Sequence, residues 1–225
     1  MRLCPSGCAN GQAIVCGPGD GDGKTLEVIG TADVAGAGLD PVHFDHVADM
    51  DGPSAGDPTA RLFVVGGGGM NNRLLKLNAT RSGRTGDTNS SKPGGFDIPH
   101  NIVYDWHGAR VWVADRANMR PQVFSASGDL ELLAVWDCAP RSPYGLAQMP
   151  GINKLAITYV DKTGMGGVMT LRMDQEPSAI PQALAEDAFT TGVGTLPHGI
   201  SADGKGDLYV AYTTARRVER WQRRP

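Results

Sequence analysis

The sequence predicts an all-β fold of the β-propeller class. Its 225 residues include 31 glycines and 15 prolines, which are spread along the chain and indicate frequent turns between short segments. Short runs rich in β-branched and aromatic residues lie between these turns, as expected for strands. A unit containing several such runs recurs at intervals of about 50 residues, which is typical of propeller blades.

Each unit opens with a short anchor that is followed by two strand candidates. The four anchors are Phe44–Val47, Pro99–Ile102, Pro143–Leu146 and Pro197–Ile200, and we align Asp45, His100, Tyr144 and His198 as equivalent positions. The first strand candidate of each unit lies at Arg61–Val65, Val111–Ala114, Lys154–Ile157 or Leu208–Ala211. The second lies at Leu74–Leu77, Gln122–Phe124, Val168–Leu171 or Val218–Trp221.

One domain is expected over residues 1–225. Strand candidates at 11–15 and 25–30 have no anchor before them, so residues 1–41 are interpreted as the outer half of a blade and a connector. Successive blades are expected at 42–90, 96–138, 142–176 and 192–225. The chain then enters part-way through a blade and is N-terminally incomplete, with about four and a half blades visible. Only residues 182–188 favour a turn of helix, between two blades.

Composition and charge exclude several functions. The formal net charge of −3, without a dense basic stripe, argues against nucleic acid as a partner. No window approaches the ~20 apolar residues that span a membrane, and the first residues lack the apolar region of a signal peptide. The four cysteines form no CxxC pair, which argues against a structural zinc site; they are Cys4, Cys8, Cys16 and Cys138.

Residues 18–25 are similar to a phosphate-binding loop, but Pro18 replaces its first glycine and no strand–helix context surrounds it. The alternating Asp and Gly residues of this segment also make calcium a candidate ligand, although no glutamate closes the loop. A hairpin turn is the simpler interpretation.

Histidines supply the candidate metal ligands. His100 and His198 occupy equivalent positions in two units, and each directly follows a proline. The residue that enters the innermost strand of a blade points toward the central channel, so two imidazoles from different blades converge there. Such a pair suits a transition metal such as zinc. The alternative is that each Pro-His anchor hydrogen-bonds within its own blade. His107 lies in a predicted turn, where we expect it to be exposed.

The same residues resemble the peptidylamidoglycolate lyase family, whose members are six-bladed propellers built from NHL repeats. The resemblance is strongest over Phe96–Phe124, which includes the Pro-His pair and the run Ala114–Asn118. Leu196–Trp221 is similar to the family's final catalytic blade, and the similarity as a whole runs from about Val42 to Trp221. NHL-repeat propellers without known catalysis share parts of this pattern.

The resemblance implies an activity and a site. The family binds zinc through three histidines from separate blades and cleaves peptidyl α-hydroxyglycine into a peptide amide and glyoxylate. His100 and His198 would be two of the zinc ligands, and Arg116 matches a family arginine that would bind the substrate carboxylate. The alternative for Arg116 is an ion pair with Asp115 or a neighbour. The resemblance also implies the secretory pathway or the extracellular space.

Several family positions have no match in this chain. The third zinc ligand would precede Met1, the family's tyrosine aligns near Gly69 within a run of glycines, and Gly199 replaces an acidic residue. Three anchor residues remain as substitutes, namely Asp45, His46 and Tyr144. The third ligand and the catalytic base are therefore unassigned.

Two other functions remain open. One is a non-catalytic NHL-repeat propeller that binds a protein or another ligand on its face. The other is a calcium-dependent propeller enzyme, which needs several acidic and amide side chains in the channel. Since Asp45 is the only such side chain among the aligned anchor positions, this second alternative ranks last.

Overall fold

The computed structural model of the chain describes residues 2–3, 12–16, 25–36, 43–52, 62–67, 72–77, 90–105, 107–174, 182–183 and 188–223. These residues form strands and turns, and none of them is helical. No helix that could cross a membrane occurs in this part of the chain. The segment of residues 18–24 and the glycines at 68–69 lie outside the described residues.

The strands form five sheets, numbered 1 to 5 along the chain. Sheet 1 contains β1 (Arg2–Leu3), β2 (Ala13–Cys16) and β3 (Thr25–Ile29), and sheet 2 contains β4 (Val47–Asp51), β5 (Leu62–Gly66) and β6 (Arg73–Leu77). Sheet 3 contains β7 (Pro99–Asp105), β8 (Arg110–Asp115), β9 (Arg120–Ser125) and β10 (Leu132–Asp137). Sheet 4 contains β11 (Arg141–Met149), β12 (Lys154–Asp161), β13 (Met165–Arg172) and β15 (Ala188–Val193). The short strand β14 (Gln182–Ala183) lies between β13 and β15 in the sequence but belongs to sheet 3. Sheet 5 contains β16 (Pro197–Ala202), β17 (Leu208–Tyr212) and β18 (Arg217–Trp221).

The sheets are antiparallel meanders arranged around a channel, and the predicted β-propeller fold is confirmed. Strands β4, β7, β11 and β16 are the inner strands of sheets 2 to 5. Together they line a cavity of about 390 Å³. Strand β14 adds to the outer edge of sheet 3 by pairing in parallel with β10. The prediction of a helical turn at 182–188 is wrong at both ends of this segment, because residues 182–183 form β14 and residue 188 begins β15.

Apolar side chains fill the space between successive sheets. Sheets 3 and 4, for example, share a cluster in which Trp112 and Trp136 stack with ring centroids 5.0 Å apart. Similar clusters join the other neighbouring sheets. Each large side chain buried in this way stabilises the fold by about 1.5–3 kcal/mol. This packing is the main reason why the sheets stay together.

A chain of polar contacts connects the inner strands. Asp49 on β4 accepts hydrogen bonds from the side chain of Asn101 and from the backbone N–H of Ile102, both on β7. Asn101 in turn accepts a bond of 2.7 Å from the backbone N–H of Leu146 on β11. Thr158 continues the chain by donating to the carbonyl of His198 over 3.2 Å. These bonds fix how the four inner strands are staggered along the channel.

Each inner strand carries a β-bulge near its start. The unpaired residue is His100 in β7, Tyr144 (with Gly145) in β11 and His198 in β16. In β4 the corresponding residue is Ala48, which lies between the pairs Val47↔Gly66 and Asp49↔Val65. The alignment of Asp45 with these residues is therefore wrong by three positions. A bulge redirects one side chain without ending the strand, so the register decides which residue reaches the channel.

A buried carboxylate anchors the turn between β8 and β9. Asp115 accepts bonds of 2.8 Å from the backbone N–H of Asp97 and 2.8 Å from the Arg120 guanidinium. It also accepts from the side chains of Asn118 and Gln122. Arg120 further donates to the carbonyls of three residues that precede β7, which are Ser91, Lys92 and Gly95. The network joins the entry to β7 with the turn that carries Arg116.

We predict that Asp115→Ala lowers the free energy of unfolding by about 3–5 kcal/mol, because it leaves the Arg120 charge buried without its partner. Urea unfolding monitored by circular dichroism measures the change. Asp174→Ala is the control, since Asp174 pairs with Arg172 on the exposed surface and its loss should not change stability measurably. Equal effects of the two substitutions would contradict the assigned role of Asp115.

Candidate functional site

Four side chains from three sheets meet at one end of the channel. The ring centroids of His100 and His198 are 4.4 Å apart, and Tyr144 lies 5.1 Å from the first and 5.5 Å from the second. The Arg116 guanidinium carbon lies 5.1 Å from the centre of the Tyr144 ring. We call these four residues the channel-mouth cluster. The structure thus brings together the two histidines and the arginine singled out in the sequence.

Local sequence explains how the two histidines reach this position. Pro99 and Pro197 are the first residues of β7 and β16, where a missing N–H costs no ladder bond. The bulge that follows turns each imidazole toward the channel. Ile98 precedes the first of these prolines with a φ of 51°, a conformation that is uncommon for a β-branched residue. The Asp115 bond to the adjacent Asp97 N–H holds this turn in place.

The imidazoles are neutral at physiological pH. Burial, together with the nearby His198 and Arg116, lowers the pKa of His100 from 6.5 to about 4. Burial and Arg116 also lower the pKa of His198. The His100 Nδ1 lies 3.0 Å from the Tyr144 carbonyl oxygen, which can only accept, so Nδ1 carries the proton. The lone pair of His100 is therefore on Nε2, the atom left for a metal.

Arg116 has no carboxylate partner in the described part of the chain. Asp115 pairs with Arg120 instead, so the expected alternative of an Asp115–Arg116 ion pair is wrong. The guanidinium lies over the Tyr144 ring in a cation–π contact. Its remaining N–H groups can bind a carboxylate or a similar anion through two parallel bonds.

None of the described residues of sheet 2 belongs to the channel-mouth cluster. His46 and Asp45 precede β4 and contact each other, with 3.0 Å between the imidazole Nδ1 and the carboxylate. Ala48 takes the bulge position. Gly67 corresponds to Arg116, and a Cβ atom there would lie 2.1 Å from the Pro99 carbonyl oxygen. A side chain at position 67 therefore does not fit.

The cluster fits two ligands of a metal site. Two neutral imidazoles suit zinc, and the Nδ1–H bond to a carbonyl is the usual way in which a ligating histidine is oriented. Among the described residues, no group of three or more His, Cys, Asp or Glu side chains is placed to hold a metal. A third donor must therefore be a residue of another type or lie elsewhere. In the channel, the carboxylates of Asp49 and Asp51 accept hydrogen bonds from the backbone N–H groups of Ile102 and Tyr104 on β7.

Comparisons with known proteins identify relatives of the chain. It is 30% identical over 219 residues to NHL repeat-containing protein 3 of Mus musculus and 31% identical over 218 residues to the protein of that name in Homo sapiens. These relatives support an NHL-repeat propeller. Each alignment covers 88% of this chain and 56% of the relative, so the chain spans little more than half of their length. No family model matches the chain.

A third curated relative carries the name of an amidating enzyme. Peptidyl-glycine alpha-amidating monooxygenase B of Xenopus laevis is 28% identical over 193 residues, which are 80% of this chain and 21% of that protein. Among solved structures, a chain of a nidogen–laminin complex aligns with a TM-score of 0.61 at 13% identity, over 94% of this chain and 71% of that one. A chain of a mitotic checkpoint complex also aligns with a TM-score of 0.61, at 11% identity, over 89% and 53%. These structural likenesses show the fold alone.

Sequence reasoning missed two features of the site. The sequence did not single out Tyr144 among the three candidate substitutes for the missing ligand, because only the pairing register at the bulge distinguishes it from Asp45 and His46. The neutrality of the imidazoles was also missed, because it depends on burial and on a guanidinium sixteen residues away in the chain. A Pro-x-Gly pattern at Pro143–Gly145, parallel to Pro197–Gly199, was the signal available for Tyr144.

We predict that Arg116→Gln raises the pKa of both His100 and His198, because it removes a positive charge that opposes their protonation. A titration of the histidine ring carbons by NMR measures this. Arg172→Gln, an exposed arginine remote from the channel, is the control and should change neither value.

The low pKa of native His100 also makes the free energy of unfolding depend on pH. The unfolded chain protonates this histidine near 6.5, whereas native His100 stays neutral down to about 4. Its contribution to folding is therefore complete above pH 6.5 and is lost as the pH falls toward 4. Normal titration of His100 near pH 6.5 would contradict the described environment.

Proposed function

We propose that the chain carries a lyase site of the peptidylamidoglycolate lyase type, which cleaves peptidyl α-hydroxyglycine to a peptide amide and glyoxylate with the help of zinc. The observation that carries the proposal is the convergence of two neutral imidazoles, His100 and His198, beside the guanidinium of Arg116, which has no carboxylate partner among the described residues. The similarity to the Xenopus laevis amidating protein supports this reaction class. The substrate is then a small peptide.

Arg116 binds the carboxylate of the terminal hydroxyglycine. A guanidinium offers two parallel N–H donors that match a carboxylate, so it fixes orientation as well as position. The cation–π contact with Tyr144 positions the guanidinium beside the histidines, with its N–H groups available to the ligand. The substrate is thereby oriented with its hydroxyl group toward the imidazoles.

His100 and His198 would hold the zinc ion, which when bound supplies a Lewis acid that polarises the substrate hydroxyl. His100 is oriented for this by the bond from its Nδ1–H to the Tyr144 carbonyl. In the reaction the hydroxyl loses its proton to a base and the C–N bond breaks. The carbinol carbon becomes the aldehyde of glyoxylate, and the departing amide nitrogen takes up a proton.

A non-catalytic binding module is the second candidate function. It is favoured by the relatives of 30% and 31% identity, whose names state only that they contain NHL repeats. The same cluster of tyrosine, arginine and neutral histidines could bind the terminal carboxylate of a protein partner on the propeller face. Under either function we propose the secretory pathway or the extracellular space as the location, on the strength of the family resemblance.

We predict that the purified chain binds about one zinc ion, and that His100→Ala and His198→Ala each abolish this binding. Metal analysis after reconstitution and dialysis measures the content. His107→Ala is the control, because His107 is exposed in the turn between β7 and β8 and should leave zinc binding unchanged. Circular dichroism checks that each variant is folded.

The activity assay follows release of glyoxylate from a peptide that ends in α-hydroxyglycine. Arg116→Gln should lower kcat/KM about 10- to 100-fold, as expected for the loss of a charged hydrogen bond, while zinc content is kept. Zinc binding without glyoxylate release would favour the binding module. Absence of zinc binding by the wild-type chain would argue against the lyase as a whole.

A further inference from the structure

Two imidazoles do not complete a zinc site, since catalytic zinc sites have three protein ligands and one open position. The side chain that contacts both imidazoles is Tyr144, whose ring centroid lies 5.1 Å from that of His100 and 5.5 Å from that of His198. The three rings therefore form a compact triangle, with the third side at 4.4 Å. Asp45 and His46, the other two substitutes, lie outside the bulge of β4.

We propose that the phenol oxygen of Tyr144 is the third protein donor to the zinc ion held by His100 and His198. This inference rests on the proposed zinc site and specifies its ligand set as two histidines and one tyrosine. On binding, the phenol releases its proton to solvent and its oxygen forms a bond to the metal. No oxidation or reduction is involved.

The register of the sheets supports a shared role for these three residues. His100, Tyr144 and His198 are the bulged residues of three successive inner strands, so their side chains leave the backbone at the same level of the channel. The bond between His100 Nδ1 and the Tyr144 carbonyl keeps two of them in a fixed relation. The Tyr144 hydroxyl has no hydrogen-bond partner among the described residues and so remains free to bind.

Charge supports the same assignment. Imidazoles bind metals in their neutral form, so the two histidines contribute no negative charge to offset the two positive charges of zinc. A tyrosinate supplies one negative charge, and the Arg116 guanidinium over its ring offsets that charge locally. The site then keeps a net positive charge, which attracts an anionic substrate.

Proton release on zinc binding tests the proposal. A tyrosine ligand loses its proton on metal binding, whereas a phenylalanine has none to lose. Calorimetry in buffers of different ionisation enthalpy should therefore show about one proton more released per zinc by the wild type than by Tyr144→Phe. Zinc affinity of Tyr144→Phe should fall at least about tenfold. Tyr209→Phe, in sheet 5 and partly exposed, is the control and should behave as wild type.

Tyr144→His distinguishes a lost ligand from a disturbed fold. It restores a neutral donor, so zinc affinity should recover relative to Tyr144→Phe, while proton release should stay at the Tyr144→Phe level. If Tyr144→Phe binds zinc as tightly as the wild type, or if the wild type releases no more protons than Tyr144→Phe, Tyr144 is not a ligand although the histidine site stands. If the wild type binds no zinc, or binding survives His100→Ala, the proposed function fails together with this inference.

Discussion

The hydrogen-bonded contact between neighbouring inner strands is the constraint on which the site depends. Sheets 3, 4 and 5 each contribute one or two side chains to the channel mouth, so the site exists only if these sheets are correctly staggered. Apolar packing holds sheets face to face, but it is not directional and tolerates sliding. The directional bonds that Asn101 donates to Asp49 and accepts from the Leu146 N–H remove that freedom. They cross from sheet to sheet one residue beyond the bulge that presents His100.

Equivalent positions of the repeat have taken on different chemistry. In the second strand of each sheet, the residue that pairs with the residue before the bulge is Asp115 in sheet 3, Tyr159 in sheet 4 and Tyr212 in sheet 5. Each of them contacts an arginine. Asp115 forms a buried ion pair, whereas the two tyrosines have a guanidinium over the ring, at 5.1 Å and 5.3 Å. Among these three sheets, an arginine thus contacts the position in each, but it is paired with a carboxylate in sheet 3 alone, next to Arg116.

The repeat, the all-β class and three site residues were predictable from the sequence, because Pro99-His100 and Pro197-His198 are local patterns at matching positions. The residue of sheet 2 that is equivalent to these histidines could not be predicted from the sequence. No proline marks the entry to β4, and a bulge moves the channel-facing position without changing the hydrophobic pattern on either side. The choice among Asp45, His46 and Ala48 therefore required the pairing register. Neutral histidines likewise follow from burial and neighbours that are distant in sequence.

Arg116 connects the two properties that define the channel mouth. Its positive charge opposes protonation of His100 and His198, which keeps their lone pairs available, and it is also the group best suited to bind an anion. An anion bound to Arg116 makes protonation of the imidazoles less unfavourable, since it offsets the positive charge that acts together with burial to keep them neutral. A metal ion bound to the imidazole nitrogens takes the place of the proton whose binding the anion would otherwise favour. Metal and anion are therefore expected to bind cooperatively here.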